Sequence, residues 1–196
     1  MGLSFDDEPS GPVDLVIRSL RDAKPSPWRN GGGVTRELAR EPSHGDFDWR
    51  ISVAEVASDG PFSIFNGYDR AITLLSGNGM DLRFTDDGST VRLRAPWGSH
   101  EFAGERPIVS TLVDGPTTDF NLMWRRGAVS ASFMVVKITA RDWLGGHSGT
   151  NALFIADGSV RLNDGTALTA GDLAIFGGSV RCDGSATILC CWMDRT

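Results

Sequence analysis

The sequence predicts an all-β fold, a sandwich or a barrel built from short strands. Twenty-four glycines and nine prolines divide the 196 residues into short segments, and several segments alternate apolar with polar residues, as a strand with one buried face does. Turn sequences that pair Asp or Asn with Gly recur along the chain, because these residues tolerate positive φ. They occur at Asp59-Gly60, Asn66-Gly67, Asp87-Gly88, Asp114-Gly115, Asp157-Gly158, Asp164-Gly165 and Asp183-Gly184.

We predict that residues 1–14 form a flexible tail and are not a targeting signal. The segment MGLSFDDEPSGPVD is acidic and contains two prolines, so it has neither the apolar centre of a secretory signal nor the arginine-rich pattern of a transit peptide. No apolar run approaches the roughly 20 residues that a helix needs to cross a bilayer. The three cysteines, Cys182, Cys190 and Cys191, do not resemble a secreted disulfide framework. These features predict a cytoplasmic protein without a membrane anchor.

The segment PWRNGGGVTREL, residues 27–38, is the part of the chain that folding alone explains least well. The glycine run 31–33 has no side chains to pack and loses much backbone entropy on ordering. Its neighbours are charged and amide side chains, which can orient a polar small molecule. A flexible surface turn is the alternative interpretation. A nucleotide-binding loop is excluded, because Val-Thr-Arg follows Gly33 where such loops need a further glycine or Gly-Lys-Ser/Thr.

The segment WRISVAEV, residues 49–56, is the clearest strand in the sequence. Its alternation separates a face of large apolar side chains, which we expect in the core, from a face with one arginine and two small residues. The first face consists of Trp49, Ile51 and Val53, and the second of Arg50, Ser52 and Ala54. The second face suits either solvent or the inside of a cup that leaves room for a ligand.

The later part of the chain continues this strand-rich pattern. Residues 91–94 and 160–163 alternate, and residues 188–192 are apolar enough to be buried on both faces. Residues 154–176 weakly repeat the pattern of turns and strands that begins at Leu74. Two related β units are one explanation, and the ordinary repetition of strands in an antiparallel sandwich is the other.

Arginine dominates the basic residues. The chain has 19 Lys and Arg against 25 acidic residues, a net charge of −6, which disfavours nucleic-acid binding because phosphate contacts need a basic face. Binding of a small anionic ligand is still compatible with this composition, because a local cluster of arginines can bind an anion although the net charge of the chain is negative. Only two lysines occur, Lys24 and Lys137. Guanidinium groups bind carboxylates in a fork, although a GC-rich genome also favours arginine.

Several classes of chemistry lack the residues they need. The histidines His44, His100 and His147 are too widely spaced to present two imidazoles to one metal from a single element. No Gly-x-Ser-x-Gly nucleophile elbow occurs. An acid–base enzyme without a metal stays open, because several side chains could supply a donor and an acceptor. These are Glu37, Glu55, Tyr68, Asp69 and His100.

Three segments of the chain together carry a specific resemblance. They are PWRNGGGVTREL, then FDWRISVAEVASDGPFSIFNGYDRAITLLSGNGMDL at residues 47–82, then DFNLMWRRG at residues 119–127. With these segments the chain resembles the HutD/Ves family of small bacterial proteins associated with histidine utilisation. The resemblance covers most of the chain and implies a bicupin, with two RmlC-like double-stranded β-helix (jelly-roll) units. We expect the first unit over residues 15–135 and a second, smaller unit over residues 136–196, packed against the first. Metal-binding cupins usually show His-x-His, a following Glu and a later His, and the chain lacks that set, so no metal and no cofactor is implied.

The resemblance also implies a function. The expected protein is a non-enzymatic regulator of histidine utilisation that binds an acidic intermediate, such as urocanate or a formylated glutamate. We expect arginines and the backbone amides of the glycine run to hold this anionic metabolite in a barrel mouth, and we expect no catalytic residues, no nucleic acid and no membrane partner, with a homodimer left open. The residues expected to contact the ligand are Trp28, Arg29, Asn30, Thr35, Arg36, Glu37, Arg50, Arg70 and Asn121.

Two alternatives belong to other classes. One is a metal-free cupin isomerase or epimerase acting on a small carboxylate, with a carboxylate or histidine base and Tyr68 as the acid. The other is a protein-interaction module, which would show an exposed apolar patch.

Overall fold

The structure, a computed structural model, describes residues 13–196. Within that range it contains fifteen strands and no helix, so the all-β prediction is confirmed. No helix of the described chain could span a membrane. The predicted flexible tail, residues 1–14, lies outside the described residues except for its last two, which begin the first strand.

The fifteen strands are numbered in chain order. They are β1 Val13–Ser19, β2 Pro25–Pro27, β3 Gly33–Glu41, β4 Trp49–Val56, β5 Gly60–Pro61, β6 Tyr68–Ser76, β7 Gly79–Phe84, β8 Thr90–Arg94, β9 Ser99–Ala103, β10 Ile108–Leu112, β11 Thr117–Arg125, β12 Val129–Ile138, β13 Arg141–Leu162, β14 Ala167–Thr169 and β15 Asp172–Arg195.

The chain divides into two compact units. The larger comprises Arg18–Ser130 with the last two residues, and the smaller comprises Ala131–Asp194 with the described residues that precede Arg18. The predicted cupin units, residues 15–135 and 136–196, stay a prediction, because compactness alone does not identify a cupin unit.

The larger unit contains two antiparallel sheets. One has six strands in the order β2-β3-β4-β11-β6-β9, and the other has four in the order β5-β10-β7-β8. Apolar side chains from both sheets form a common core, so the sheets pack face to face. The core residues are Val56, Ile72, Leu74, Met80, Leu82, Phe84, Leu93, Phe102 and Ile108.

The inner face of the six-stranded sheet changes from apolar to polar along its strands. In β4, Val56 lies in the core, and Arg50 lies at the other end of the same face because side chains alternate with a period of two. In β6, Ile72 and Leu74 lie in the core and Arg70 is the next residue of that face. The polar end of this face is where a cavity opens.

The smaller unit is built around the two longest strands. The middle of β13 pairs with two separate stretches of β15, so that Leu153 is opposite both Ala174 and Cys190. Residues 188–191 of β15 are all buried, so side chains on both faces of this stretch are covered, which agrees with its continuous apolar run. The three cysteines are buried free thiols. Burial raises the pKa of Cys182 and of Cys190 to about 12, so these thiols belong to the core and not to a reactive site.

Candidate functional site

A cavity of about 630 Å³ opens on the polar end of the six-stranded sheet of the larger unit. Its volume is in the range of small-molecule sites. Eight of the nine side chains predicted to contact a ligand line it: Trp28, Arg29, Asn30, Thr35, Glu37, Arg50, Arg70 and Asn121. The other lining residues are Lys24, Ser26, Pro27, Ser52, Ala54, Pro61, Phe62, Ser63, Phe65 and Asp119.

Three cross-strand rows on β4, β11 and β6 position the polar side chains at the floor of this cavity. The rows are Arg50–Met123–Arg70, then Ser52–Asn121–Ile72, then Ala54–Asp119–Leu74. Residues directly opposite one another share a face of the sheet, and neighbouring strands are about 4.8 Å apart. The backbones of Arg50 and Arg70 are therefore about 10 Å apart, one on each side of Met123.

Arg70 is buried at 8% exposure, and the oxygens that its guanidinium contacts among the described residues belong to neutral groups. Its Nη2 donates a hydrogen bond to Oδ1 of Asn121 at 3.0 Å, and its Nη1 lies 3.5 Å from the Ser63 carbonyl oxygen. Its Cζ lies between 5.1 and 5.5 Å from the centres of three phenylalanine rings, which favour a cation over their faces. Desolvation lowers the pKa of Arg70 to about 10, against the attraction of Asp119, so the guanidinium stays charged at neutral pH.

Arg50 is partly buried, and its contacts within the described part of the chain are likewise with neutral groups. Its Nη2 lies 3.1 Å from Sδ of Met123, and its Cζ lies 5.0 Å from the ring centre of Phe47 and 5.3 Å from that of Phe65. Desolvation lowers the pKa of Arg50. The Nε atoms of Arg50 and Arg70 are both buried without a hydrogen-bond acceptor in the described structure, so each has a donor that a ligand could use.

Asp119 is the least exposed of the side chains that line the cavity, at 1%. Its Oδ1 accepts a hydrogen bond from Nδ2 of Asn121, and its Oδ2 has no donor among the described residues. Desolvation raises the pKa of Asp119 to about 7, opposed by the Asn121 hydrogen bond and by the charge of Arg70. A carboxyl group with a pKa near neutral pH thus lines the same cavity as the two arginines.

The rim of the cavity is more exposed than its floor. Trp28 donates a hydrogen bond from Nε1 to Oγ1 of Thr35 at 2.8 Å, which fixes the indole against strand β3. Glu37, Arg29 and Lys24 are exposed side chains of the rim. Four basic side chains therefore line the cavity against two acidic ones, and the cavity carries a positive charge in a chain whose net charge is −6.

Arg36 does not line the cavity, contrary to its place in the predicted contact set. Its neighbours Thr35 and Glu37 face the cavity, and Arg36 points to the other face because β3 alternates. There it forms an ion pair with Glu55. The structure therefore separates Arg36 from the other eight residues.

Two of the three backbone amides of the glycine run are bonded within the chain, so the expectation that this run's amides hold a ligand finds no support from Gly31 and Gly32. Gly31 N–H donates to the carbonyl of Trp28, and Gly32 N–H donates to Oδ1 of Asn30, each at 3.0 Å. Gly31 has a φ of 72°, and a side chain at Gly33 would place its Cβ 2.5 Å from the Glu55 carbonyl oxygen. The run forms a tight turn against β4.

Most of the predicted acid–base candidates lie outside the cavity. Tyr68 donates from Oη to the Phe47 carbonyl at 3.0 Å, Asp69 pairs with Arg126, and His100 packs against Phe84 and Phe102. Burial lowers the pKa of His100. Glu55 is paired with Arg36. Glu37 alone of the five lines the cavity.

Sequence reasoning missed Asp119 and the cavity phenylalanines, Phe62 and Phe65. Asp119 could have been found, because it precedes Asn121 by two residues in DFNLMWRRG and therefore shares its face on a strand. The described residues hold no group of three or more His, Cys, Asp or Glu placed to bind a metal ion.

Comparison with known proteins identifies relatives that match this chain over most of its length. A family model described as HutD matches residues 20–190. The "Uncharacterized 21.2 kDa protein in hutC 3'region" of Pseudomonas putida is 36% identical over 151 residues, which cover 76% of this chain and 77% of that protein. Protein Ves of Cronobacter sakazakii is 37% identical over 141 residues, which cover 70% of this chain and 74% of that protein.

Solved structures agree with the fold. The structure of HutD from Pseudomonas fluorescens SBW25 (formate condition) has a TM-score of 0.80 and 27% identity, and covers 92% of this chain and 99% of that chain. The bacterial pirin YhhW of Escherichia coli, in complex with nickel(II), has a TM-score of 0.67 at 10% identity, with 90% of this chain and 97% of that chain covered. At that identity the likeness concerns the fold alone, which is of the cupin type.

Proposed function

We propose, from the premise that this chain belongs to the HutD family, that it binds a small anionic metabolite of histidine utilisation and regulates that pathway without catalysing a reaction. A relative in the hutC region supports the link to this pathway. We also propose that the protein is cytoplasmic, and that its two units are two cupin units of a bicupin. The cupin-type fold supports the second of these.

The observation that carries this proposal is a pair of arginines in one cavity, Arg70 buried and Arg50 partly buried. Burying a guanidinium without a charged partner is costly, because the ion loses hydration that neutral groups replace only in part. Arg50 and Arg70 contact phenylalanine rings, a thioether and neutral oxygens, and each keeps an unmatched Nε–H. An anionic ligand supplies the missing acceptors, and carboxylates form charge-assisted bonds with guanidinium groups.

The size and charge of the cavity support a metabolite of this kind. Its volume of about 630 Å³ accommodates a small dicarboxylate or an imidazole acrylate. Its positive charge selects anions locally although the whole chain is acidic. Phe62 and Phe65 supply apolar walls for the carbon skeleton.

Calorimetric titration of the purified protein with urocanate, formylglutamate and formiminoglutamate tests the binding. We expect at least one of them to bind, and we expect Arg50→Ala to weaken that binding. Arg36→Ala is the matched control, because Arg36 belongs to the same family segment but lies outside the cavity. Absence of binding by all three at millimolar concentration overturns the proposal.

The regulatory part needs a separate measurement in cells. We expect a strain that lacks the protein to show altered growth on histidine and altered levels of the pathway enzymes. Restoring the chain with Arg50→Ala is expected not to correct the defect, whereas the Arg36→Ala chain is expected to correct it. Unchanged histidine growth in the deletion strain contradicts the regulatory role and leaves the binding proposal standing.

A metal-free isomerase or epimerase is the second candidate, and one observation favours it. Asp119 has a pKa of about 7 and lines the same cavity as Glu37, so the site holds a carboxyl group suited to proton transfer near neutral pH. Proton NMR in heavy water tests this candidate. Exchange of a ligand's α-proton that Asp119→Asn abolishes would favour the enzyme over the regulator, and binding without exchange excludes it.

A further inference from the structure

The turn at Asn66-Gly67 presents an asparagine side chain and the backbone amide that follows it to solvent. Tyr68 N–H donates to the carbonyl of Phe65 at 3.4 Å, which closes the turn. Gly67 has a φ of 79° and Asn66 does not have a positive φ, so the turn is of type II. The closing hydrogen bond of such a turn uses neither the Asn66 side chain nor the Gly67 N–H.

Neither group has another partner within residues 13–196. The side chain of Asn66 forms no hydrogen bond there, and the peptide group between Asn66 and Gly67 is unbonded at both its C=O and its N–H. Both residues are exposed, and a Cβ at Gly67 would meet no atom within 4 Å. This peptide group can therefore rotate until the Gly67 nitrogen reaches Cγ of Asn66, with one long hydrogen bond to lose.

The chain has two other Asn-Gly pairs, and the first is held by hydrogen bonds. Gly31 N–H donates to the carbonyl of Trp28 at 3.0 Å, so the nitrogen that would attack is engaged. Oδ1 of Asn30 accepts from Gly32 N–H, also at 3.0 Å. Attack of Gly31 on the Asn30 side chain would break both bonds.

The second pair, Asn78-Gly79, is held by packing. Gly79 is buried and lies opposite Arg94 in the pairing of β7 with β8. A Cβ at Gly79 would lie 2.3 Å from the carbonyl oxygen of Leu93, so the backbone at this position has no room to reorganise. Of the three pairs, only Asn66-Gly67 is both exposed and unbonded.

We propose that Asn66-Gly67 is a site of spontaneous deamidation in the folded protein. The Gly67 nitrogen loses its proton to hydroxide and forms a bond to Cγ of Asn66. The bond between Cγ and the side-chain nitrogen breaks, and that nitrogen takes a proton from water and leaves as ammonia. Water then opens the succinimide ring at either carbonyl, which leaves aspartate or isoaspartate at position 66. The inference does not depend on any ligand.

Isoaspartate at this position would strain the turn, because it adds one carbon to the backbone. Phe65 N–H donates to the Gly104 carbonyl at 2.8 Å, and Arg126 N–H donates to the Gly67 carbonyl at 3.0 Å, so a bond fixes the chain on each side of position 66. The backbone at Gly104 is packed so closely that a Cβ there would lie 2.7 Å from the Phe65 carbonyl oxygen. The longer chain cannot keep both bonds, and the Phe65 ring, which lines the cavity, is expected to move with the turn.

Peptide mapping of the aged protein tests the site. Trypsin places each Asn-Gly pair in its own peptide, residues 30–36, 51–70 and 71–83. After incubation of the full chain at mildly alkaline pH, mass spectrometry measures how much of each peptide carries an acid in place of an amide. An unaged sample corrects for change during digestion. We expect the 51–70 peptide to convert about tenfold faster or more than the others, a difference of about 1.4 kcal/mol in activation free energy.

The same incubation in urea is the control for sequence. Unfolding removes the hydrogen bonds at Asn30 and the packing at Gly79, so we expect all three peptides to convert at similar rates. The variant Asn66→Ser lacks the carbonyl that is attacked. We expect aged wild-type protein to unfold with an equilibrium constant raised about fivefold or more, and aged Asn66→Ser to unfold as it did before ageing.

The outcomes bear on the site and on its consequence separately. Equal conversion of the three peptides in the folded protein overturns the site, and so does a 51–70 peptide that converts in urea but not in the folded chain. Enzymatic methylation of isoaspartate, confined to the 51–70 peptide, supports it. Unchanged unfolding of protein that has converted at position 66, or an equal loss of stability in aged Asn66→Ser, overturns the structural consequence and leaves the site standing.

Discussion

The arginines of the larger unit occupy two contrasting environments. On the surface, Arg106 pairs with Asp86 and Asp87, and Arg126 pairs with Asp69 and Glu105. These carboxylates raise the pKa of Arg106 and of Arg126. In the cavity, Arg50 and Arg70 contact neutral groups, and desolvation lowers the pKa of both.

This contrast shows where charge in the protein is available for a ligand. A surface guanidinium that already pairs with a carboxylate gains little from a second anion, and exposed pairs contribute little to stability. A buried guanidinium with neutral partners has a large unmet electrostatic demand, because the low local dielectric strengthens any new ion pair. Burial and the lack of a carboxylate in direct contact among the described residues, more than arginine content, identify the site.

The largest expected effect is that of Arg70→Met, which removes the more buried of the two charges. We expect binding of N-formylglutamate to weaken about a hundredfold or more, because a buried charged donor is lost. We also expect the pKa of Asp119 to rise above its value of about 7, since the attraction of Arg70 lowers it. Calorimetry and a carboxyl NMR titration measure these changes. Wild-type affinity in Arg70→Met would show that the buried and surface arginines do not differ in function.

The acidic residues extend the contrast to the pH dependence of stability. Desolvation raises the pKa of Asp119 from its ordinary 3.8 to about 7, whereas hydrogen bonds lower the pKa values of Asp86, Asp87 and Glu105. Between pH 3.8 and about pH 7, the folded state keeps a proton on Asp119 that the unfolded state has released. The contribution of Asp119 to stability is therefore full below 3.8, declines as the pH rises toward 7, and is lost above it.

Urea unfolding at about pH 5 and about pH 8 measures this decline, which should be of the order of 2 kcal/mol. In Asp119→Asn we expect a smaller decline over the same range, because the titrating group is gone. Asp86→Asn is the control on the surface and is expected to keep the wild-type decline. An identical decline in the wild-type protein and Asp119→Asn would contradict the raised pKa.

Arg50→Gln is expected to have an intermediate effect. Arg50 is less buried than Arg70 and is not joined to the Asn121–Asp119 pair. Its loss should weaken N-formylglutamate binding about tenfold, which corresponds to one charge-assisted hydrogen bond. Calorimetry on Arg50→Gln and Arg70→Met compares the loss of ligand affinity in the two variants. A larger loss in Arg50→Gln would contradict the expectation that the more buried arginine contributes more to binding.

The smallest expected effect is that of Arg36→Ala, on the face of the same sheet that points away from the cavity. Its pair with Glu55 involves partly exposed side chains, with 26% and 53% exposure. We expect a loss of less than about 1 kcal/mol in the free energy of unfolding and a ligand affinity within about twofold of wild type. Urea unfolding and calorimetry measure both. A large loss of affinity in this variant would mean that the ligand also contacts the outer face.

The sequence predicted much of the cavity because strands alternate. The period of two in β4 placed Arg50, Ser52 and Ala54 on one face, and all three line the cavity. The same rule applied to residues 35–37 would have turned Arg36 away, but the glycine run made that segment look like a loop. Alternation is a local property of the sequence, so it predicts which side chains share a face wherever a strand has been recognised.

Features that depend on distant partners could not be predicted. The pairing of β4 with β11 and of β11 with β6 joins segments far apart in the chain, and only this pairing places Arg50 and Arg70 on either side of Met123. Whether the amides of Gly31 and Gly32 are free to bind a ligand depends on the carbonyl of Trp28 and the side chain of Asn30, which accept their hydrogen bonds. Their composition suggested anion binding, and their geometry uses these donors within the turn.

The cross-strand rows restrict how the length of this chain can change during evolution. One residue inserted before Asn121 within β11 would shift its side chain to the outer face, and an apolar neighbour such as Phe120 or Leu122 would enter the cavity. The turn at Gly88 has open space around it, so extra residues there leave the rows in register. Relatives with the same ligand class should therefore differ in length at such turns and keep β4, β6 and β11 free of insertions and deletions.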